Sequence, residues 1–280
     1  MDKKYFFFDI DGTLCVKNPL GLGNYMPDST KQALKELREN GHFIAIATGR
    51  GYALARPVMD ELNILNMVHD GGNGITIDGQ CLGIEPLDFE KCVKLVDECN
   101  EKGFAWSISF DNSRTRYTTD SRFLDETKDY DFMDTVEIKD LNLRDYKEIF
   151  KVYIASHYPE ELTIETLKDL PWCRYGPTYI FVEPIDKSVG IERIIKHFGA
   201  DLKDVVVFGD GRNDLSMFRP EWTSVAMGNA CDELKQKADF VTKKNSEDGI
   251  LYALEELGLV EKQLNFPQVD LSTVEGPVAT

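Results

Sequence analysis

Three short runs of uninterrupted apolar residues stand out along the chain, at 5–8, 43–47 and 205–208. Each has the length of a strand. An unbroken apolar run of that length marks a strand buried on both faces, as in a parallel sheet. Between the first two, Pro27-Asp28-Ser29 opens a helix with N-cap chemistry, Ala33, Leu34 and Leu37 form its apolar stripe, and Gly41 follows Asn40 as a C′ residue. A second helix is predicted over 52–62. Strand, helix, strand, helix predicts an α/β protein with a doubly wound, mostly parallel sheet. The same rhythm returns late in the chain. An amphipathic helix over 187–198 places Ile191, Ile194, Ile195 and Phe198 on one face, and Gly199 closes it. Beyond the 205–208 strand, short strands near 224–227 and 240–242 alternate with helices near 214–218, 230–237 and 247–257.

From about 82 to 182 the pattern changes. A helix near 90–102 precedes β-rich runs at 105–110 and 115–119. Then come a strand over 149–155, a helix over 159–170, and a hairpin over 172–182 that turns at Gly176-Pro177. This texture predicts an α+β unit with an antiparallel sheet. Because the α/β rhythm resumes after it, the unit is inserted into the outer domain. The expected division is a core of 1–82 and 183–262, an inserted domain of 83–182, and a tail of 263–280 with no clear element.

Composition narrows the partners. The 280 residues hold 32 Lys plus Arg against 49 Asp plus Glu, a net charge of −17, so neither a nucleic-acid backbone nor an anionic membrane surface is expected as a partner. With 42% apolar residues the chain can build a substantial core. No run reaches the roughly 20 apolar residues of a membrane span. Asp9 and Asp11 end the first apolar run too early for a signal peptide. The six cysteines form no C-x-x-C pair and there is no glycosylation acceptor, which predicts free thiols and a cytoplasmic setting. Four scattered histidines argue against a His-built zinc site.

The candidate chemistry lies at the ends of the buried strands. Asp9-Ile10-Asp11-Gly12-Thr13-Leu14 follows the first directly, where open α/β sheets bind ligands. Two carboxylates one residue apart can divide nucleophilic and proton-transfer work, and Gly12 permits a tight turn. Such aspartates also make Asx turns, and an Asp at a strand-to-helix turn, such as Asp210 or Asp214, can cap the helix. Against those readings, the second strand also ends in polar residues, Thr48-Gly49-Arg50. The third ends in Gly209-Asp210-Gly211-Arg212-Asn213-Asp214, so one sheet edge collects all three groups. Asp210 and Asp214 could reach a metal directly or through water, and oxygen ligands suit Mg²⁺.

These segments, with a lone Lys187 opening a helix, resemble in order and spacing the four motifs of the haloacid dehalogenase-like (HAD) superfamily. Val225-Ala226-Met227-Gly228-Asn229-Ala230 and Gly72-Asn73-Gly74 are further similar to its Cof-like branch, which carries a large α/β cap. Ser188 stands where a Gly often follows the Lys. The resemblance implies a HAD-like core and an inserted cap that selects the substrate. It implies that Asp9 is the nucleophile, phosphorylated in the reaction, and that Asp11 is the general acid and then base. Thr48, Gly49, Lys187 and Asn213 would bind phosphate, and Arg50 and Asn73 are candidate substrate contacts. Mg²⁺ would sit on Asp9, the Asp11 carbonyl, Asp210 and Asp214. Charge agrees: four ionised carboxylates carry −4, Mg²⁺ and Lys187 reduce this to −1, and a proton on Asp11 removes the rest.

The expectation is therefore a Mg²⁺-dependent phosphomonoesterase, monomer or homodimer, acting on a small phosphorylated metabolite, with sugar phosphates first. The alternatives are a phosphomutase or phosphotransferase, in which an alcohol replaces water, and a non-catalytic regulator that binds a phosphorylated metabolite. Gly21-x-Gly23 lacks a third glycine and is no dinucleotide motif. The acidic stretch 125–134 reads as a solvated face, Gly71–Gly74 as a tight turn, and Trp106, Trp172 and Trp222 as packing.

Overall fold

A computed structural model describes residues 2–17, 24–130, 132–174 and 176–262; Gly21-x-Gly23 and the tail 263–280 lie outside them. Among the described residues, one sheet has eight strands in the order Phe240–Val241, Thr223–Ala226, Val205–Gly209, Tyr5–Phe8, Phe43–Ala47, Asn66–His69, Gly74–Ile77 and Gln80–Ile84. The first six run parallel to one another; Gly74–Ile77 pairs antiparallel with Asn66–His69, and Gln80–Ile84 antiparallel with Gly74–Ile77. Strand order reverses at Tyr5–Phe8, which lies between Val205–Gly209 and Phe43–Ala47. The crevice at that switch point is where doubly wound sheets take their ligands.

Alternation along Tyr5–Phe8 feeds two cores. Phe6 and Phe8 pack with Leu34, Leu37 and Ile250 on one face, and Phe7 packs with Ile191, Ile194 and Ile195 on the other. The Lys187–Phe198 helix thus covers the face opposite the Asp28–Glu39 helix. The latter begins at Pro27, whose extended backbone makes it the N-cap. Asp28 and Ser29 fall inside the first turn, so the expected side-chain cap is not made. The sheet also continues past the predicted boundary. Asp78 and Gly79, both at positive φ (49° and 77°), turn Gly74–Ile77 back into Gln80–Ile84, so the core sheet extends through Ile84.

The cap holds a six-stranded sheet in the order Asp134–Glu137, Thr115–Thr118, Trp106–Ser109, Lys151–Ala155, Tyr179–Val182 and Trp172–Arg174. It is mixed, not purely antiparallel, because the edge strand Asp134–Glu137 runs parallel to its neighbour. The Phe89–Lys102 helix covers it, capped by the Asp88 carboxylate, which accepts the Lys91 N–H at 3.1 Å. The helix expected over 159–170 is instead two 3₁₀ segments, Glu160–Thr163 and Glu165–Asp169. Its buried residues Ile164, Leu167 and Leu170 recur every third position, the period of a 3₁₀ helix. The Glu98 carboxylate also accepts the Glu165 and Thr166 N–H groups at 2.7 and 2.8 Å, anchoring the second segment.

Within the acidic stretch, Asp129 pairs with the fully buried Arg116 at 2.9 Å, so this member is structural. Trp106 and Trp222 are buried, and Trp172 packs against the cap core. The described cysteines are free thiols. No described helix is long and apolar enough to cross a membrane.

Candidate active site

Asp9 sits one residue beyond its strand. Its N–H donates to the Phe208 carbonyl at 3.0 Å, which extends the parallel register and anchors it at the switch point. Lys187 is the first residue of its helix, held there by Asp186, whose carboxylate accepts the Ser188 N–H. Both side chains are buried, and Lys187 Nζ donates to Asp9 Oδ1 and Asp214 Oδ1, each at 2.6 Å. The other oxygen of Asp214 accepts the Asp210 and Gly211 N–H groups, both at 2.9 Å, and so shapes the loop that carries Asp210. Thr13 donates its hydroxyl to Asp210 Oδ1 at 3.3 Å.

This cluster holds more negative charge than the protein neutralises. Burial, then the Asp214 carboxylate, pushes Asp9 up to about 8 despite the pull of Lys187. Burial and Asp214 likewise raise Asp210 to about 7. For Lys187 burial works against the charge, but Asp214 and Asp9 outweigh it and the ammonium is held well above its ordinary value. Carboxylate oxygens of Asp9, Asp210 and Asp214 all lie within 4.8 Å of one another. An all-oxygen set with surplus negative charge fits a small hard divalent cation.

Asp11 is half-exposed. Arg50 grips it with both arms, Nε to Oδ2 at 2.9 Å and Nη2 to Oδ1 at 2.6 Å. The buried Thr48 hydroxyl accepts the Arg50 N–H at 3.1 Å, fixing the loop from which that guanidinium extends. Asp9, Asp11, Thr48, Gly49, Arg50, Lys187 and Asn213 all line one cavity of about 840 Å³, with the cap above it. Asp210 and Asp214 stand behind this surface. Asn73 is not brought there: its amide donates to the Glu85 carbonyl at 2.9 Å and serves the loop between core and cap. The neighbouring glycines fit the tight-turn reading. A Cβ on Gly71 would stand 1.8 Å from the Pro184 carbonyl oxygen and one on Gly72 2.1 Å from that of Asp186.

Sequence reasoning missed much of the rest of the lining, including Ser216, Lys151, Glu183, Arg114 and Arg174. Ser216 accepts the Lys187 N–H at 3.1 Å. Lys151 and Glu183 enter from the cap side. A lone lysine inside the apolar run from Ile149 to Ala155 was the available signal, since a buried strand rarely carries an unpaired charge.

Gly12 yields a sharp test. Its φ is +91°, and a Cβ there would stand 2.1 Å from Asp210 Oδ2. Gly12→Ala must therefore strain the turn and displace Asp210. Activity is expected to fall by about 100-fold or more, from a shift on the order of 1 Å. Wild-type kinetics in this variant contradict the tight fit.

The haloacid dehalogenase-like hydrolase family model matches residues 6–254. The Bacillus subtilis (strain 168) protein named "Putative phosphatase YkrA" is 33% identical over 263 residues, covering 93% of this chain and all of that protein. The 5-amino-6-(5-phospho-D-ribitylamino)uracil phosphatase YcsE of the same organism is 25% identical over 263 residues, covering 91% of this chain and 95% of its own. Among solved structures, a protein from Geobacillus kaustophilus HTA426 superposes with a TM-score of 0.79 at 31% identity, covering 92% of this chain and 100% of its own. A HAD subclass IIB sugar phosphatase does so with a TM-score of 0.74 at 28% identity, again covering 92% and 100%. The chain belongs to the haloacid dehalogenase-like hydrolase family, in its Cof-like branch. It is a HAD-type phosphatase, which implies a phosphorylated substrate.

Proposed function

We propose that this enzyme is a Mg²⁺-dependent phosphomonoesterase that releases phosphate from small phosphorylated metabolites through an aspartyl phosphate on Asp9. The observation that carries this reading is the buried Lys187 ammonium joining Asp9 to Asp214 at the floor of a cavity lined by core and cap residues. The buried Asp9 carboxylate, fixed at a strand end, attacks phosphorus in line. Asp11 gives a proton to the departing alcohol oxygen and later takes one from the water that hydrolyses the acyl phosphate. Because Arg50 occupies both Asp11 oxygens, substrate has to loosen at least one of those bonds. Thr48, Gly49, Asn213 and Lys187 hold the phosphoryl oxygens, and Lys187 neutralises charge there. Asp9, Asp210 and Asp214, with the Asp11 carbonyl, would hold Mg²⁺, which supplies charge neutralisation at the transferring group.

The likeness to a sugar phosphatase of subclass IIB supports sugar phosphates as the first substrates to test. The insert, counted from 85 to 182 because Gln80–Ile84 pairs within the core sheet, chooses among them as a cap. A phosphate-release screen over sugar, nucleotide and cofactor phosphates, with and without Mg²⁺, tests the proposal. Isomerised product in place of free phosphate would make the enzyme a mutase, and no turnover of any ester with Mg²⁺ would overturn the reading.

Metal and pH should be linked with a defined sign. Asp9 and Asp210 both have folded-state values raised from 3.8, to about 8 and about 7. Each therefore favours its proton in the folded chain. Their stabilising contribution is complete below the ordinary carboxylate value and is lost as pH rises through about 7 to 8. Metal binding needs the ionised forms and displaces those protons, so apparent Mg²⁺ affinity should rise with pH, by up to about tenfold per unit for each proton released. Thermal scans should give a metal-free Tm that is lower at about pH 8 than at about pH 6, and a larger Mg²⁺-induced rise at the higher pH. An equal rise at both contradicts the assignment of these carboxylates.

A further inference from the structure

The cavity above Asp9 contains a second buried ion pair that the phosphoryl chemistry leaves unused. Lys151 Nζ lies 2.5 Å from Glu183 Oε2, and each residue is only 8% exposed. The pairing follows from the cap sheet: Val152 is in register with Val182, so Lys151 and Glu183 are the next residues across. Lys151 also donates to the Gly49 carbonyl at 3.0 Å, one residue beyond Thr48. The pair therefore stands beside the loop proposed to grip the phosphoryl group.

Both members keep unused hydrogen-bonding capacity. An ammonium has three donors, and among the described residues Lys151 makes one hydrogen bond, to the Gly49 carbonyl, and one ion contact, to Glu183. Among the described residues, Glu183 Oε1 receives only the weak Cys173 thiol at 3.9 Å, and Oε2 makes its ion contact without hydrogen-bond geometry. Burying such a pair is often no gain in stability over apolar residues of like volume, and this one stands in the wall of the substrate cavity. Arg114 and Arg174 line the same cavity, so the pair's charges define the ligand at its own position in the wall. A second anionic group beside Lys151 would meet the Glu183 carboxylate, and a cationic group beside Glu183 would meet the ammonium. A hydroxyl, which accepts and donates at once, suits both. Tyr153 and Phe181 line the same cavity with their rings 5.0 Å apart and edge to face. The Tyr153 hydroxyl donates to the Met133 sulfur at 3.0 Å, so the ring offers the cavity an apolar wall. A donor–acceptor pair beside an aromatic wall matches a polyol chain, with hydroxyls along one side and C–H groups along the other.

We infer that Lys151 and Glu183 are the specificity residues of this phosphatase, reading hydroxyl groups on the leaving alcohol close to the esterified carbon. The inference rests on the phosphomonoesterase reading and goes beyond it by naming what in the cap selects the substrate.

The test compares Lys151→Met, Glu183→Gln and the double variant, in full-length enzyme with Mg²⁺. Substrates are glucose 6-phosphate, ribose 5-phosphate and sorbitol 6-phosphate, set against p-nitrophenyl phosphate, whose leaving group has no neighbouring hydroxyl. For each single variant, kcat/KM on the polyol phosphates relative to that on p-nitrophenyl phosphate should fall by about 100-fold, with KM taking most of the loss. The double variant removes both charges together and guards against misfolding from one unpaired buried charge; the same fall is expected. A constant ratio in all three variants overturns the inference and makes the pair a structural link between cap and core. Wild-type turnover of p-nitrophenyl phosphate with no polyol phosphate accepted overturns it too, and leaves the phosphomonoesterase reading standing. No wild-type turnover of either class overturns that reading and the inference with it.

Discussion

Replacing Asp9 by asparagine should abolish phosphate release, with a loss of about 10⁴-fold or more in kcat. The amide keeps the shape of the carboxylate and can still accept a hydrogen bond from Lys187, but it cannot form an acyl phosphate. The same substitution should not unfold the protein. Asp9 is crowded by the Asp214 and Asp210 carboxylates, and its burial already favours the neutral form. Removing that charge relieves repulsion, so the metal-free Asp9→Asn variant should melt no lower than wild type at neutral pH. An inactive variant with an undiminished Tm separates lost chemistry from lost structure. Normal turnover would sink the nucleophile assignment.

Lys187→Met is expected to do the opposite to stability. Its ammonium is the cation that bridges Asp9 and Asp214, and methionine fills the same space without charge. Three carboxylates then remain within 4.8 Å of one another. Leaving buried charge unpaired in this way costs about 3–5 kcal/mol, which corresponds to a Tm lower by on the order of 10 °C for a chain of this size. The deficit should shrink as pH falls, because the carboxylates then protonate, and should shrink again with Mg²⁺. Turnover should also fall by about 10³-fold through loss of a fixed positive charge at the transferring group. An unchanged melting curve at neutral pH would mean that Lys187 does not balance this cluster.

Much of the fold was legible because local signals agreed with global ones. The apolar runs at 5–8, 43–47 and 205–208 became three adjacent central strands, and their polar ends became one site. Lys187 is different: no spacing rule links it to Asp9, 178 positions away, and only the resemblance put it at the centre. Other features escaped because their cause is tertiary. Lys151 and Glu183 meet only through the pairing of two cap strands. Asn73 was a candidate contact only through the resemblance, and its amide bonds the Glu85 carbonyl instead. The Asp78-Gly79 turn was a readable hairpin signal and would have extended the core sheet to Ile84. Over 159–170, period three was mistaken for the 3.6 of an α-helix, a small difference over twelve residues that decides the geometry.

The proposed route is covalent, with phosphate passing through the carboxylate of Asp9. Acid quenching during turnover, followed by borohydride reduction, converts an aspartyl phosphate into homoserine, and peptide mass spectrometry locates it. Homoserine at position 9, present only with substrate and absent from Asp9→Asn, is the predicted result. Steady phosphate release from an enzyme that yields no homoserine at that position, or yields it at another aspartate, would contradict the account.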